Sequence, residues 1–442
     1  MAKATENDTI YALSTGVGKA AIAIVRVSGP QAAGILRKLC PDFEAAERRA
    51  VLTRILAGSG EVLDRGIVLK FVGPRSFTGE DMIEFQVTGG RAIVAGLIRT
   101  LATFSETRPA DAGEFARRAF ENGKLDLVEV EGLTSIVEAE TQAQRVHAMR
   151  MATGELSSRC EDVRNMLLKA TAGLEAALDF SDVEDASELS IFQALPWVEQ
   201  AHSVLEEMLK HSGVSERLRD GMTIVIAGPP NVGKSTLLNH LAQRDVAIVS
   251  PIPGTTRDSL EFTAEIAGYP VTFVDTAGIR ETSDPIEALG IAHTHKRAVF
   301  ADLILWLTDS DGAPPGPEFA DKPILSVRTK ADIAGDNPTG NEAISISAKT
   351  GFGVDLLISK TAEFAEEYFS GAGSVSLGNE RQRAAVRDAL SALKKILDDS
   401  SRPEELIAEE LRQAAHAMGR LTGRIGVEEV LGEIFSRLCV GK

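Results

Sequence analysis

The sequence contains few cysteines, no long apolar run and no recognisable export signal. Its three cysteines, Cys40, Cys160 and Cys439, lack paired spacing, which argues against a disulfide framework or a zinc site and favours a reducing compartment. No apolar run approaches the ~20 residues of a membrane-spanning helix, and the first residues lack the basic and apolar regions of a secretory signal. These absences predict a soluble, cytoplasmic protein.

Positive charge is also scarce. A formal net charge of -17 disfavours a surface that binds polyanions without specificity. Short basic pairs, Arg48 with Arg49 and Arg117 with Arg118, are typical of solvated faces and predict no binding surface. A nucleic-acid substrate would therefore need a local basic patch or a basic partner protein.

The 442 residues are too many for one compact core, and their hydrophobic patterns change along the chain. Apolar or alternating runs at 20–27, 66–72 and 81–87 predict strands of an α+β domain. Two later blocks have helical spacing of apolar residues: Val163, Leu167, Ala170, Leu174 and Leu178 in the first, and Val386, Leu390, Leu393, Leu397, Ile407, Leu411, Ala414, Met418 and Leu421 in the second. Between them, strands alternate with helical patterns, as in βαβ units.

These patterns predict a multidomain α/β protein in which a P-loop domain is inserted into a helical domain. Insertion is plausible because the termini of a domain often lie close together at its surface. We expect an N-terminal α+β domain at 1–122, the first helical part at 123–219, a domain with a mostly parallel, doubly wound sheet at 220–370, and the second helical part at 371–442.

Residues 223–236, TIVIAGPPNVGKST, combine a strand, the pattern G-x-x-x-x-G-K-S and the start of a helix. In this arrangement backbone N–H groups from Gly228 to Lys234 bind phosphates, Lys234 neutralises the β and γ oxygens, and Ser235 ligates magnesium. The alternative is a glycine turn that matches by chance, which the strand–turn–helix context disfavours. The sequence therefore predicts a P-loop nucleotide site.

The base is indicated by residues 326–332, SVRTKAD, which resemble the guanine-recognition element of GTPases. A carboxylate at Asp332 can accept from N1–H and the 2-amino group of guanine, and adenine lacks both donors. Residues 343–351, AISISAKTG, supply the companion loop. Thr329 stands where an asparagine is usual, and one hydroxyl replaces only part of the hydrogen bonding of an amide. We expect selectivity for guanine with reduced affinity.

Two further segments predict the switches of a GTPase. In SPIPGTTRD (250–258), Thr256 can complete a magnesium shell, and in VDTAG (274–278), Asp275 holds a magnesium-bound water while the Gly278 N–H faces the γ-phosphate. The Ras-like template continues with a glutamine that orients the attacking water, whereas this chain has Ile279. Either the chain hydrolyses nothing or the catalytic group comes from elsewhere. The predicted nucleotide-binding residues are Asn231, Val232, Gly233, Lys234, Ser235, Thr236, Ser250, Pro251, Ile252, Pro253, Gly254, Thr255, Thr256, Asp275, Thr276, Ala277, Gly278, Thr329, Lys330, Ala331, Asp332, Ser347, Ala348 and Lys349.

These GTPase motifs occur together with TIYALST, SFTGED, GEFARRAFENGKLDL and a terminal CVGK. In this combination the chain closely resembles, over essentially its whole length, the bacterial MnmE (TrmE) family of tRNA modification GTPases. The P-loop motifs alone indicate only a GTPase, whereas the segments 113–127 and 439–442 are distinctive. The resemblance implies a potassium-dependent GTPase that acts on the wobble uridine of tRNA.

The resemblance also implies an explanation for Ile279. GTPase domains of the family dimerise face to face around potassium, which takes the role of an arginine finger. By position, the potassium ligands are Asn231, Ser250, Ile252 and Thr255; many members have threonine in place of Ser250. The water-orienting acid corresponds to Glu287, so the catalytic residues are Glu287 and Lys234. Without the family, Glu287 is a solvated carboxylate at the start of a helix.

For the N-terminal domain, the resemblance implies dimerisation and binding of a tetrahydrofolate derivative as the one-carbon donor. The family's folate contacts match Arg26, Glu84, Lys124 and Lys442. A carboxylate can accept from the pterin amino and ring N–H groups, and cations suit the glutamate tail. Cys439 has two interpretations, an apolar filler of a terminal helix or a residue with a chemical role near the folate. Thr88 replaces a histidine common in the family.

The implied partner is an FAD protein resembling MnmG (GidA), in a heterotetramer or larger complex. Together they would add an aminomethyl- or carboxymethylaminomethyl-type group at carbon 5 of the uridine, with FAD on the partner and Mg2+, K+ and folate on this chain. Two alternatives remain. A ribosome-assembly GTPase of the Era or Der type would carry a basic RNA-binding module, and a dynamin-like GTPase would carry a basic amphipathic segment.

Overall fold

The structure is a computed structural model that describes residues 8–179, 186–244, 261–275, 301–309, 314–315, 319–334, 343–371, 377–425, 428–436, 438 and 441. The chain forms two compact units. The first comprises Met1–Thr134, Met151–Asn165 and Arg412–Lys442, and the second comprises Ser135–Arg150 and Met166–Leu411. In the described part of the chain, no helix is long and apolar enough to cross a membrane.

The strands are β1 Thr9–Leu13, β2 Ile22–Ser28, β3 Val51–Leu56, β4 Val62–Phe71, β5 Met82–Thr88, β6 Thr107–Pro109, β7 Met222–Ala227, β8 Glu261–Ile266, β9 Tyr269–Asp275, β10 Leu303–Thr308, β11 Ile324–Arg328 and β12 Ile344–Ser345. The helices are α1 Ala32–Leu39, α2 Arg91–Leu101, α3 Glu114–Glu121, α4 Leu127–Glu138, α5 Gln142–Ala152, α6 Glu155–Asp179, α7 Ala186–Lys210, α8 Ser212–Asp220, α9 Lys234–Ala242, α10 Ala331–Ala334, α11 Val354–Tyr368, α12 Glu380–Asp398, α13 Glu404–Thr422 and α14 Glu428–Ser436.

The first unit contains a sheet of order β3-β4-β5-β2-β1-β6, antiparallel except where β6 runs parallel to β1. Because side chains alternate along a strand, Val25 and Phe85 face the core beneath α1 and α2. Arg26 and Glu84, their neighbours in sequence, are paired across β2 and β5 and project from the opposite face. The predicted α+β character of this region is confirmed.

The second unit contains a sheet of order β12-β11-β10-β7-β9-β8, parallel except for the antiparallel pair of β8 and β9. Its central strands are continuous apolar runs because both faces are buried. The carboxyl ends of β7, β9 and β11 lie at one edge, which is where parallel α/β sheets bind their ligands. This edge carries the P-loop, Asp275 and Thr329.

Helices precede and follow this second sheet along the chain. Helix α7, before the sheet, packs against α12, after it. Most residues of the predicted apolar stripes are buried, and Val163, Leu167, Leu393 and Leu411 are fully inaccessible to solvent. Leu390 and Leu397 are half-buried, and the burial of the Leu178 side chain lies outside the described part of the chain. The multidomain α/β fold predicted from the sequence is therefore confirmed.

Candidate nucleotide site and a second charged site

The P-loop lies between the buried strand β7 and helix α9. Gly228 has φ +144, and a Cβ at this position would overlap the Leu307 carbonyl oxygen on the adjacent strand. Gly233 has φ +105 and faces open space. Asn231 also has positive φ, 59°, a conformation that asparagine tolerates better than most residues. The loop conformation therefore depends on glycine and asparagine at these positions.

Lys234 begins helix α9 and is buried, with 8% of its surface exposed. Its Nζ donates to the carbonyl oxygens of Gly228 and Pro229, both at 2.9 Å. The ammonium group is thus held over the loop that precedes it. This is the position predicted for a cation that neutralises phosphate oxygens.

Ser235 and Asp275 meet at the ends of neighbouring elements. Asp275 is the last residue of β9, which runs parallel to β7, and 2% of its surface is exposed. The Ser235 Oγ donates to Asp275 Oδ2 at 2.6 Å. A hydroxyl and a carboxylate are hard oxygen donors of the kind that Mg2+ prefers. The two residues fit the magnesium role that the sequence predicts for this pair.

Thr329 connects the guanine-side loop to the P-loop. Its Oγ1 donates to the Val232 carbonyl oxygen at 2.7 Å and also lies 3.2 Å from the Thr308 carbonyl oxygen. The residue is 7% exposed. The single hydroxyl that replaces the usual amide is therefore used for contact with the P-loop. The reduced affinity expected from this replacement stays a prediction.

The two predicted guanine loops are joined through the backbone, since Ala331 N–H donates to the Ile346 carbonyl oxygen at 3.1 Å. Asp332 is exposed in the short helix α10, where its carboxylate is accessible to a ligand. Ser347 is buried, and its Oγ accepts from Thr350 N–H at 3.3 Å. Lys330 has φ 61°, and its Nζ lies 3.8 Å from Oδ2 of Asp309. The structure brings both loops to the carboxyl edge of the sheet.

Several predicted residues lie outside the described part of the chain. They are Ser250, Pro251, Ile252, Pro253, Gly254, Thr255, Thr256, Thr276, Ala277, Gly278, Ile279, Glu287, Cys439 and Lys442. Their roles stay predictions. The described nucleotide-site residues all belong to the P-loop, the end of β9 and the two guanine loops.

A second charged site lies on the first unit's sheet. Arg26 Nε donates to Glu84 Oε1 at 2.8 Å, with 25% and 13% of the two side chains exposed. The Arg26 guanidinium also lies 5.7 Å from the ring centroid of Phe77 and 3.3 Å, through Nη1, from the Gly441 carbonyl oxygen. Two residues predicted to contact folate are therefore in direct contact, beside the C-terminal tail.

Gly441 is closely fitted at this site. It has φ +95, and a Cβ would lie 2.6 Å from the Leu13 carbonyl oxygen and 2.9 Å from Ser14 Oγ. Ser14 Oγ is buried and has no hydrogen-bond partner among the described residues. A buried polar group without a partner is uncommon and is a candidate ligand contact. This contribution of Ser14 and Phe77 could not be read from the sequence, because both look like ordinary strand and loop residues.

Lys124 and Thr88, the other two residues of this domain discussed in the sequence analysis, have different neighbours. Lys124 is exposed, and its Cγ lies 3.2 Å from where a Cβ of Gly79 would be. Thr88 is exposed at the end of β5, where its N–H donates to Asp64 Oδ2 at 2.7 Å. Lys124 is therefore close to the loop that contains Phe77, whereas Thr88 pairs with the neighbouring strand.

A buried network of charges was missed by the sequence analysis. Glu114 is 1% exposed and accepts from Arg108 Nη1 at 2.8 Å, Arg108 Nη2 at 2.6 Å, Asp111 N–H at 2.9 Å and Arg118 Nη2 at 3.1 Å. Burial alone would raise the pKa of Glu114, but the hydrogen bonds from Arg108 and Asp111 and the charges of both arginines lower it below its ordinary value. Arg118 continues the network to Glu80 at 3.1 Å.

This network corrects the interpretation of the basic pairs. Arg118 was expected on a solvated face, yet only 7% of it is exposed. The reason is that three carbonyl or carboxylate groups surround its guanidinium. Arg48 and Arg49 are exposed, as expected. The spacing of Glu114 and Arg118, four residues apart on a helix, was the available signal.

Family models and curated relatives match nearly the whole chain. Residues 9–124 match the family model described as "GTP-binding protein TrmE N-terminus", and residues 127–439 match the one described as "MnmE helical domain". The chain is similar to the curated tRNA modification GTPase MnmE of Rhodopseudomonas palustris (strain BisB5), at 45% identity over 99% of each chain. It is 46% identical to that of Beijerinckia indica, over 98% of this chain and 96% of the other. A structure of Era from Aquifex aeolicus matches 38% of this chain and 66% of its own, with 28% identity and a TM-score of 0.26.

Proposed function

Because the chain belongs to the MnmE family of tRNA modification GTPases, we propose that it binds and hydrolyses GTP as one component of a tRNA wobble-uridine modification complex. GTP binding is supported mainly by three sets of contacts that lie at the same edge of the sheet. Lys234 covers the P-loop, Ser235 meets Asp275, and Thr329 joins the guanine side to Val232. These contacts support a site for a nucleoside triphosphate.

In this proposal each residue has a stated role. Lys234 exchanges its two loop carbonyl contacts for the β and γ oxygens of GTP. The hydroxyls of Ser235 and Thr256 would hold magnesium, and the Asp275 carboxylate, beside Ser235, would hold a water of that ion. Bound magnesium supplies positive charge against the phosphate oxygens. Asp332 accepts from the guanine base, for which its exposure leaves it available.

Hydrolysis would use potassium and Glu287, since Ile279 cannot orient water. Asn231 supports this assignment through its exposed position at the loop tip and its positive φ. Steady-state GTP hydrolysis in potassium chloride and in sodium chloride at matched ionic strength tests it. We expect a large potassium-specific stimulation that Asn231→Gly removes, because glycine keeps the positive φ but lacks the side-chain oxygen.

Asn239→Ala, an exposed change on helix α9, is the matched control and should keep the stimulation. Equal wild-type rates in the two salts would contradict the potassium role. Glu287→Gln should bind GTP normally and turn it over much more slowly; unchanged turnover would remove Glu287 from the mechanism.

The first unit would bind a reduced folate that supplies the one-carbon group. Glu84 would accept from the pterin, Arg26 would hold Glu84 in position, and Lys124 and Lys442 would face the glutamate tail. The 2.8 Å contact of Arg26 with Glu84 and the nearby Ser14 hydroxyl support this arrangement. In calorimetric titration with 5-formyltetrahydrofolate, Glu84→Gln should lose most of the affinity, while the exposed Glu61→Gln should not. Equal binding by both variants would exclude Glu84 from the site.

The complex would contain a homodimer of this chain, an FAD protein similar to MnmG, and tRNA, in the cytoplasm. The N-terminal domain at 1–122 would dimerise, and the GTPase domain at 220–370 would move relative to the helical parts at 123–219 and 371–442 as GTP is hydrolysed. A basic partner surface would reconcile an RNA substrate with the net charge of -17. Mass spectrometry of tRNA nucleosides after deletion of the gene tests the activity. Unchanged modification at the wobble uridine would contradict it.

A further inference from the structure

The segment SFTGED was singled out in the sequence, yet the proposed function gives it no role. Its residues 76–80 form a closed loop after the strand β4. Ser76 Oγ donates to the Glu80 carbonyl oxygen, and Glu80 N–H donates to Thr78 Oγ1 at 3.3 Å. Thr78 is fully buried. The loop therefore has a defined internal conformation.

The loop is also anchored from outside by the buried charge network. The Glu80 carboxylate accepts from Arg118 Nη1 at 3.1 Å and from Ser28 Oγ at 2.7 Å. Asn122, at the end of helix α3, donates through Nδ2 to the Thr78 carbonyl oxygen at 2.7 Å. Because the Arg118 and Glu80 side chains are only 8% and 22% exposed, salt screens this ion pair less than it would a surface pair. The loop has little freedom to move relative to β2 and α3.

This anchored loop touches both ends of the proposed folate site. Phe77 lies beneath the Arg26 guanidinium at 5.7 Å, and Arg26 in turn holds Glu84. Gly79 lies against the Lys124 stem: it has φ +80, and a Cβ there would be 3.2 Å from Lys124 Cγ and 2.9 Å from the Asn122 Cβ. Arg26 and Lys124 come from different elements, and residues 76–80 contact both.

We propose that the loop 76–80 is the positioning element of the folate site, and that it sets the distance between Glu84 and Lys124. The inference rests on the proposed folate function. Folate has two recognition ends, the pterin and the glutamate, joined by a stiff aminobenzoyl group. A ligand that uses both ends is sensitive to their separation, whereas a pterin without the glutamate is not. The ion pair of Arg118 with Glu80 holds the loop against helix α3.

Gly79→Ala tests the proposal, because its Cβ displaces the Lys124 stem. Binding of 5-formyltetrahydrofolate and of tetrahydrobiopterin, which lacks the aminobenzoylglutamate, is measured by calorimetry and competition on the full chain. We expect about a tenfold or greater loss of affinity for the two-ended ligand and less than about a twofold change for the pterin. Gly60→Ala is the matched control, since Gly60 has a similar φ of +86 and no atom within 4 Å of a Cβ.

Wild-type amide exchange of peptides covering helix α3 and strand β1 identifies a folded Gly79→Ala chain, because Gly79 belongs to the first unit and the GTP site to the second. If that variant does not fold, Glu80→Gln, which weakens the anchor at Arg118, should show the same selective loss. Equal losses for both ligands, or no loss for either, would overturn the positioning role while leaving folate binding intact. If wild type binds neither ligand, the folate function itself fails, and the positioning role with it.

Discussion

Glu114→Gln tests the buried charge network of the first unit. Glu114 Oε1 accepts from Arg108 and Arg118, at 2.6 and 3.1 Å, and Oε2 accepts from Arg108 and from the Asp111 N–H, at 2.8 and 2.9 Å. Glutamine has the same shape, but one of its two acceptors becomes an NH2 group. In either orientation of the amide, that NH2 faces two N–H donors. The substitution therefore removes the charge and two acceptor contacts together.

The loss of stability caused by Glu114→Gln is large because Glu114 is buried. Removing one partner of a buried ion pair typically destabilises by about 3–5 kcal/mol. The low end applies here, because Arg108 keeps Asp8 at 3.1 Å and Arg118 keeps Glu80 at 3.1 Å. We expect Glu114→Gln to lower the free energy of local opening by about 3 kcal/mol, which corresponds to roughly a hundredfold faster amide exchange in the regime where exchange follows opening.

The measurement is hydrogen–deuterium exchange of peptides covering helix α3 and strand β1 in the full chain. Glu121→Gln is the matched control on the same helix, because its side chain is 54% exposed and the change affects one ion pair, 3.5 Å from Arg117 Nε to Glu121 Oε1. That change should cost less than about 0.5 kcal/mol. If the two variants exchange at the same rate, the network contributes no more than a surface pair, and the reasoning from burial is wrong.

Three further predictions concern the nucleotide site and the buried charge network. Thr329→Val removes the hydroxyl that contacts Val232 and should weaken GDP binding about fivefold, as for one buried hydrogen bond, measured by titration with a fluorescent GDP analogue. Ser235→Ala should raise the magnesium concentration needed for half-maximal GTP hydrolysis by about tenfold or more, because one of the oxygen donors beside Asp275 is lost. The pKa of Glu114 is lowered in the fold, so its stabilisation is complete above its ordinary pKa of 4.5 and is lost as the pH falls through the lower folded value. Wild type and Glu114→Gln should accordingly converge in stability in acid, as followed by urea unfolding at several pH values.

The P-loop could be predicted because its determinants are local. A strand, two glycines, a lysine and a serine in fixed order specify the loop, and Gly228 and Gly233 have the positive φ that such a loop requires. The motifs assigned Ser235 and Asp275 separately to magnesium, and their contact follows from the parallel pairing of β7 with β9, whose carboxyl ends lie at the same edge. What the sequence could not supply was the contact of Thr329 with Val232, because it depends on how two loops 97 residues apart approach each other.

The second charged site was predictable only through the family. Arg26 and Glu84 are 58 residues apart, and their contact depends on the register of β2 against β5, which a shift of one residue would reverse. The burial of Arg118 could likewise not be predicted from the sequence alone. An isolated basic pair is usually solvated, and only the position of Glu80 and Glu114 around it makes burial favourable. The four-residue spacing indicates the contact of Arg118 with Glu114, whereas the contact with Glu80 depends on how a distant loop packs against the helix.

In the proposed mechanism, binding and hydrolysis depend on different parts of the GTPase domain. The binding groups are arranged before the nucleotide arrives: Gly228 and Asn231 already have the loop conformation, and Lys234 is already desolvated, with two carbonyl contacts in place of water. A ligand phosphate can replace those contacts without a further entropy cost, because the loop is already ordered. Ordering a flexible loop is one of the costs that reduce binding affinity. The proposal assigns none of these groups to orient the attacking water, and Ile279 cannot do so. The rate of hydrolysis should therefore respond to potassium and to dimerisation, while affinity for GDP should respond to neither.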